Sequence, residues 1–154
     1  MDSHMTIAAH VLGMVAIIER DEERPATSEE LARSVGTNPV VVRRVLGKLQ
    51  RAGLVTNKRG AGGGTRLATP TAAINLRLVY EAVRDADATL LRRHSGVGDA
   101  CDVAPTIKVY LDELYADAEL ALLERLEQVS MDEMFAEIQR RLGESQGYDG
   151  IGAP

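Results

Sequence analysis

Apolar residues recur every three or four positions in several stretches of the chain, which is the spacing of amphipathic helices. The first such stretch, residues 6–20, ends in an acidic turn and has apolar positions at Ile7, Val11, Met14, Val15 and Ile18. We expect this first helix to support the elements that follow it. The same spacing predicts a long helix at residues 105–129 and a last helix at residues 130–142.

Start and stop signals mark two further helices joined by a turn. Thr27 and Glu30 form a capping box, in which each side chain can bond the backbone amide of the other residue. Gly36 supplies the turn, and Asn38 followed by Pro39 opens the second helix as N-cap and first-turn proline. This order predicts a helix-turn-helix.

The second of these helices, which should run to about Ala52 and stop at Gly53, separates apolar from charged side chains. At about 100° per residue, one stripe is apolar and should face the core: Val42, Val45, Leu46 and Leu49. The opposite positions are Val40, Arg44, Lys48 and Arg51. One face should therefore pack while the other is free and cationic.

A hairpin follows the second helix. Residues 54–56 and 66–68 have the composition of strands, and the segment between them is so rich in glycine that we expect a mobile tip. This tip contains Lys58 and Arg59. Two helices followed by a hairpin predict a winged helix-turn-helix, so the expected fold is mainly α with a small β-hairpin and a long C-terminal dimerisation helix.

Charge is segregated along the chain in a way that its overall balance hides. Residues 31–80 hold nine of the 18 Arg and Lys residues and no Asp or Glu, so all 23 acidic residues lie outside this segment. The net charge of the whole chain is −5, which alone would not suggest DNA binding. A run of cations without interspersed acids is unlike a mixed solvated surface and indicates a module that contacts phosphates.

In a winged helix the second helix enters the major groove and the wing approaches the minor groove. Arg44 could contact guanine, Asn38 could pair with adenine if capping leaves it free, and Val40 or Val41 could pack on a thymine methyl. Arg43, Lys48 and Arg51 should neutralise phosphates. The whole predicted DNA-binding set is Ser28, Thr37, Asn38, Pro39, Val40, Val41, Arg43, Arg44, Lys48, Arg51, Lys58, Arg59, Gly62 and Gly63.

The long helix at residues 105–129 is apolar on more than one face. A helix of this length exceeds what a small domain needs, and two apolar faces imply two packing partners. One would be the chain's own winged helix and the other the same helix of a second subunit in a two-fold dimer. The predicted dimerisation stripe is Ile107, Leu111, Leu114, Ala118, Leu122 and Leu126.

Four segments carry a resemblance to a known family: residues 27–32, 38–46, 49–55 and 59–64. They resemble the Rrf2 family of bacterial transcriptional regulators, which includes IscR, NsrR and CymR, and residues 38–44 are most similar to its YwnA-like branch. The resemblance covers residues 5–142 and implies a dimeric, sequence-specific DNA-binding repressor in which Arg59 inserts into the minor groove. Thr65 departs from the family, which usually has an aromatic residue there.

The resemblance leaves the sensed signal open. Iron–sulphur members of the family have three cysteines in the segment that matches residues 90–104, whereas this chain has Cys101 alone. Cys101 is therefore a candidate redox-responsive thiol, although the flanking Asp99 and Asp102 disfavour a reactive thiolate. The alternatives are a structural or incidental cysteine, or a cluster with mixed ligands that would include Cys101, His10 of the partner subunit and a carboxylate. His10 itself lies on or beside the apolar stripe of the first helix, where a core or interface role is favoured.

The chain should divide into an expression-tag remnant at residues 1–4, a DNA-binding domain at 5–89, a hinge or sensor loop at 90–104, dimerisation and C-terminal helices at 105–142, and a disordered tail at 143–154.

Residues 60–65 superficially suggest a phosphate loop, but no lysine follows the last glycine. The sequence also has no Ser, His and Asp set and no His and Cys cluster with metal-ligand spacing, so we expect neither an enzyme nor a metal centre. With no membrane-spanning run or secretion signal, we expect a cytoplasmic protein. Two alternatives remain: a cluster-bearing or gas sensor, and a winged helix used only for protein interaction.

Overall fold

The computed structural model describes residues 3–84 and 103–148. Its helices and strands follow the predicted order of helix, helix-turn-helix, hairpin and C-terminal helices. The elements are α1 (Ser3–Glu22), α2 (Ser28–Val35), α3 (Pro39–Arg51), β1 (Val55–Lys58), β2 (Gly64–Leu67), a 3₁₀ turn (Thr71–Ala73), α4 (Leu76–Val83), α5 (Val103–Glu127) and α6 (Met131–Tyr148). The mainly helical fold with one small hairpin is confirmed.

The core lies where α1, α2, α3 and α4 meet the base of the hairpin. All four inward positions of α3 are buried, and so are Val11, Val15 and Ile18 of the stripe predicted for α1, whereas Ile7 and Met14 of that stripe are half-buried. The largest fully buried side chains are Leu12, Leu31, Leu49, Ile74, Met131, Val11, Val15, Val42, Val45, Val55, Val79 and Val83. Since these residues are aliphatic, shape complementarity between branched side chains, rather than aromatic stacking, stabilises the domain.

The caps of α2 form as predicted. Thr27 Oγ1 accepts the Glu30 amide at 3.3 Å, and Glu30 accepts the Thr27 amide at 3.0 Å. Arg24 adds two hydrogen bonds to the same carboxylate, at 3.0 and 2.7 Å. Arg24, together with the Thr27 amide and hydroxyl, lowers the pKa of Glu30 to about 2. The start of the helix-turn-helix is thus fixed by an ionised carboxylate.

The wing is longer and more regular than its composition suggested. Antiparallel pairing runs from Val55 opposite Leu67 to Lys58 opposite Gly64, so the tip is residues 59–63, which is shorter than the segment between the two predicted strands. Ala26 pairs with Thr65 on the outer edge of β2 through two backbone bonds of 2.9 and 2.8 Å. A Cβ on Gly64 would lie 2.6 Å from the Ala26 carbonyl oxygen, so the close pairing requires glycine. The segment before α2 therefore holds the wing from its outer side.

The two C-terminal helices each contact the elements that precede them, α5 against α4 and α6 against the 3₁₀ turn and α1. α5 packs along α4, and α6 begins at a second capping box formed by Ser130 and Glu133. The Leu76 amide donates to Val129 and the Met131 amide donates to Ile74, at 2.9 and 2.8 Å. Met131 is consequently fully buried in the same core as the residues of α1 to α4.

Helix boundaries differ from the sequence-based prediction at both ends of the chain. α1 begins three residues earlier and α5 two residues earlier than expected, since a proline in the first turn, Pro105, is compatible with a helix. α6 continues to Tyr148, past the expected end at Leu142. The two glycines of this extension, Gly143 and Gly147, cost a helix only about 1 kcal/mol each, and no proline follows Leu142 before Tyr148. Cys101 and most of the expected hinge at residues 90–104 lie outside the described residues, as do residues 149–154 of the expected tail.

Candidate nucleic-acid interface

Helix α3 presents its polar face to solvent because its apolar stripe is anchored in the core. Val40, Arg44 and Arg51 are exposed along this face, and Val41 is half-buried beside them. Val40 leaves 57% of its surface accessible, which is unusual for an apolar residue at the start of a helix. A free apolar side chain next to an arginine is the combination that reads a thymine methyl and a neighbouring guanine.

The cap of α3 limits what Asn38 can do. Its Oδ1 accepts the Val40 amide at 2.8 Å, as the N-cap prediction requires. Bidentate pairing with adenine uses both the oxygen and the nitrogen of an amide side chain. Because its oxygen is engaged in the cap, Asn38 cannot form this bidentate pair with adenine in the conformation seen here. The backbone of Thr37 also serves the turn, since its amide donates to Ala32 at 3.0 Å.

Three of the nine cations of residues 31–80 are neutralised by acids from outside that segment. Arg43 bonds Glu29 at 2.9 Å and also donates to Ser28 Oγ at 3.2 Å. The other two pairs are Arg66 with Glu19 at 3.0 Å, and Arg77 with Glu81 and Glu127 at 3.0 and 2.8 Å. Arg43 and Ser28, both in the predicted DNA-binding set, are thus bonded to each other rather than held free for a phosphate.

Lys48 is placed differently from its neighbours on α3. Its Nζ donates to the carbonyl oxygen of Val83, the last residue of α4, at 2.7 Å, and the side chain is half-buried. A lysine at this point satisfies a carbonyl that the end of α4 leaves without a helical partner. The expectation that Lys48 points away from the protein toward a phosphate is therefore not met in this structure.

A second group of cations has no carboxylate partner among the described residues. All five are exposed, and they are Arg33, Arg44, Arg51, Lys58 and Arg59. Four of them lie on α3 and the wing, the two elements that a winged helix brings to DNA. The folded molecule therefore concentrates uncompensated positive charge on the predicted reading surface.

The wing tip is a closed turn. The Gly63 amide donates to the Gly60 carbonyl at 2.9 Å, and a Cβ on Gly63 would lie 2.2 Å from the Lys58 carbonyl oxygen. Only glycine fits at this position, because any side chain would have to displace backbone atoms. Lys58, the last residue of β1, and Arg59 thus stand beside a turn that closes on itself.

A chain of side-chain hydrogen bonds that sequence reasoning missed links the wing to α3. Thr65 Oγ1 donates to Asn57 Oδ1 at 2.6 Å, and Asn57 Nδ2 donates to Gln50 Oε1 at 2.9 Å. Thr65 is only 3% exposed. The one available signal was the polar residue at a position where the resembled family usually has an aromatic side chain.

Candidate ligands for a metal or cluster are not assembled in the part of the chain that the structure covers. His10 is exposed, and its Nε2 lies 2.9 Å from Ser34 Oγ. Within residues 3–84 and 103–148, no group of three or more His, Cys, Asp or Glu side chains is arranged to hold a metal ion. Among the same residues, no helix combines the length and apolar character needed to cross a membrane.

Comparison with known proteins identifies the family to which the chain belongs. The family model described as "Rrf2: Iron-dependent Transcriptional regulator" matches residues 1–137. YwnA of Bacillus subtilis, provisionally named as an HTH-type transcriptional regulator, is 31% identical over 134 residues, which are 87% of this chain and 96% of YwnA.

Solved structures agree with this assignment. A crystal structure provisionally assigned as a DNA-binding protein is 30% identical with a TM-score of 0.68, over 86% of this chain and 98% of that one. CymR, the global cysteine regulator of Bacillus subtilis, shares the fold at 16% identity, with a TM-score of 0.59 over 89% of this chain and 96% of CymR. The chain therefore belongs to the Rrf2 family of DNA-binding transcriptional regulators.

Proposed function

We propose that this protein is a homodimeric repressor that reads an inverted-repeat operator with α3 and clamps the adjacent minor groove with the wing. The observation that carries the proposal is the set of exposed cations without carboxylate partners on these two elements. Each free cation can neutralise a phosphate or contact a base without first breaking an ion pair. A dimer would present two such surfaces, so half-sites should lie about one helical turn or a multiple of it apart.

In this proposal Arg44 reads base edges and Arg51 contacts the backbone. Arg44 follows Val40 by one helical turn and is exposed beside it, so both can face the major groove together. Arg51 lies near the carboxyl end of α3, where side chains face the phosphates rather than the bases. Arg59 lies in the compact tip and can enter a narrow minor groove, where the negative potential is greatest.

The dimer would form through α5. Of the predicted stripe, Ile107, Leu114 and Ala118 are exposed in the single chain, whereas Leu111, Leu122 and Leu126 are half-buried. The predicted stripe is therefore shared between the chain's own domain and a free face. Val103 and Tyr110 extend the free face at helical spacing. Exposed apolar surface of this extent along one helix is typical of an interface.

The proposal is tested by competition binding at fixed salt, using the tightest duplex that the wild-type protein selects from a random pool, and a scrambled duplex. Arg44→Ala should weaken specific binding by about 1 to 3 kcal/mol and reduce discrimination. Arg20→Ala is the matched control, because Arg20 is an exposed arginine on α1 paired with Asp21 at 2.6 Å. It should change affinity less than about twofold.

Two results would contradict the proposal. Equal losses for Arg44→Ala and Arg20→Ala would mean that net charge, not the α3 surface, determines binding. Failure of the wild-type protein to select any duplex would favour a winged helix used for protein interaction instead.

The sensing role remains a separate part of the proposal and rests on Cys101. If its thiol is the switch, oxidation should abolish operator binding in the wild-type protein but not in Cys101→Ser. Loss of binding in both proteins would exclude Cys101 as the sensor. Binding that survives oxidation in both would direct the search to a bound ligand or to the mixed-ligand cluster, which a visible absorption spectrum of anaerobically purified protein would detect.

A further inference from the structure

Asn57 lies where α3 meets the wing. It lies on β1 directly opposite Thr65 on β2, and its side chain is half-buried. Its amide oxygen accepts from Thr65 at 2.6 Å, while its amide nitrogen donates to Gln50 at 2.9 Å. The nitrogen also approaches the Leu46 carbonyl oxygen at 3.5 Å. Both ends of one planar group are thus engaged, one by each structural element.

The bonds also determine which way the amide points. The Leu46 carbonyl oxygen can only accept a hydrogen bond, so the amide nitrogen of Asn57 faces α3, where the oxygen of Gln50 also accepts from it. The amide oxygen then faces β2, where the Thr65 hydroxyl donates to it. A planar group held at both ends resists rotation, so it sets the angle between α3 and β1 more tightly than apolar packing alone would.

Thr65 is itself fixed from the other side. Its backbone exchanges two bonds with Ala26, and its side chain is buried. The line of contacts therefore runs from the segment before α2, through Thr65 and Asn57, to Gln50 on α3. This line crosses the hairpin at its third residue pair, next to the last pair before the tip.

The position of Asn57 in the chain gives these contacts a consequence for DNA binding. Lys58 and Arg59, the two exposed wing cations, follow it immediately. Pairing in the hairpin ends at Lys58 opposite Gly64, so the direction of β1 at Asn57 determines where the tip projects. Because Asn57 lies only two residues before Arg59, a change in the direction of β1 at Asn57 would move Arg59 directly.

We propose that Asn57 is a positioning residue: through its bonds to Thr65 and Gln50 it sets the wing at the angle that lets Arg59 reach the minor groove while α3 occupies the major groove. This inference rests on the proposed function, in which α3 and the wing bind one duplex together. Asn57 need not touch DNA itself. Its effect passes through Arg59.

A double-mutant cycle tests the proposal, since two residues that act through one contact are not additive. The probe is the duplex selected by the wild-type protein. In the wild-type background, Arg59→Ala should weaken binding by about tenfold, the effect of about 1.4 kcal/mol. In the Asn57→Ala background the same change should cost less than about threefold. Arg44→Ala, which removes a major-groove contact, should cost the same factor in both backgrounds.

A second pair of variants covers the case in which Asn57→Ala fails to fold. Thr65→Ser keeps the hydroxyl that bonds Asn57, whereas Thr65→Val keeps the shape and removes it. Thr65→Ser should retain the full dependence on Arg59, and Thr65→Val should lose it, with circular dichroism confirming that both are folded. Thr65→Ser should protect the minor groove of the duplex as the wild-type protein does, whereas Thr65→Val should lose this protection.

Equal losses for Arg59→Ala in the wild-type, Asn57→Ala and Thr65→Val backgrounds would overturn the positioning role while leaving the DNA-binding function intact. If instead neither Arg59→Ala nor Arg44→Ala weakens binding of the wild-type protein, the proposed function itself fails. The two failures are thus distinguishable in one set of measurements.

Discussion

Replacing Leu114 by alanine should weaken dimerisation, whereas the same replacement at Leu120 should not. Both residues are leucines in the middle of α5, with 49% and 59% of their surface exposed in the single chain. Six positions separate them, which places them about 120° apart around the helix axis. Leu114 lies on the free face with Ile107 and Ala118, while Leu120 lies off that face.

The size of the effect follows from the exposed fraction. Burying a leucine side chain completely stabilises by about 1.5 to 3 kcal/mol. Since about half of Leu114 is already covered by its own chain, the interface would add about 1 kcal/mol from each subunit. A two-fold dimer contains the residue twice, so Leu114→Ala should cost about 2 kcal/mol, or a dissociation constant raised about 30-fold.

Sedimentation equilibrium over a dilution series would measure this change directly. The wild-type protein and Leu120→Ala should share one monomer–dimer curve, and Leu114→Ala should dissociate at a concentration about 30 times higher. A larger loss for Leu120→Ala than for Leu114→Ala would place the interface on the other face of α5. A monomeric wild-type protein at every concentration would refute the dimer.

Two further outcomes concern stability. The pKa of Glu30 is about 2 in the folded protein, below its ordinary value of 4.5, so the ionised carboxylate stabilises the fold fully above about pH 4.5 and this contribution disappears as the pH falls toward 2. In urea titrations, the difference in unfolding free energy between wild type and Glu30→Gln should therefore shrink between pH 4.5 and pH 2. A constant difference over this range would exclude the linkage. Lys48→Ala should lower the unfolding free energy by about 1 to 3 kcal/mol because it leaves the Val83 carbonyl without its charged donor. Arg51 lies on the same helix but is exposed and unpaired within the described residues, so Arg51→Ala should leave thermal unfolding unchanged and weaken DNA binding. Thermal destabilisation by Arg51→Ala but not by Lys48→Ala would refute both assignments.

Features determined by neighbouring residues were predictable from sequence. The capping box of Thr27 and Glu30, the cap at Asn38 and the inward stripe of α3 all involve residues within one or two helical turns. Their geometry follows from local backbone chemistry and the helical period. The family resemblance added the assembly of these parts into a winged helix.

Features that depend on distant residues were not predictable in the same way. Lys48 and Val83 are 35 positions apart, and Arg66 and Glu19 are 47 positions apart. Counting charges along the chain treats every cation of residues 31–80 alike, because it contains no information about which acids will fold against them. The bond between Asn57 and Thr65 was hidden for a related reason, since only the register of the hairpin makes them partners.

Folding thus confines the unpaired positive charge of residues 31–80 to a smaller part of the surface than the sequence alone suggests. Every acid that neutralises a cation of residues 31–80 comes from outside that segment, as Glu19, Glu29, Glu81 and Glu127 do. These acids neutralise Arg43, Arg66 and Arg77, and four of the five cations that have no carboxylate partner among the described residues lie on α3 and the wing. A field confined in this way favours one orientation on DNA, because turning the domain away from α3 would bring carboxylates against the phosphates. The acidic flanks therefore contribute to where the protein binds, even though none of their carboxylates is expected to touch the duplex.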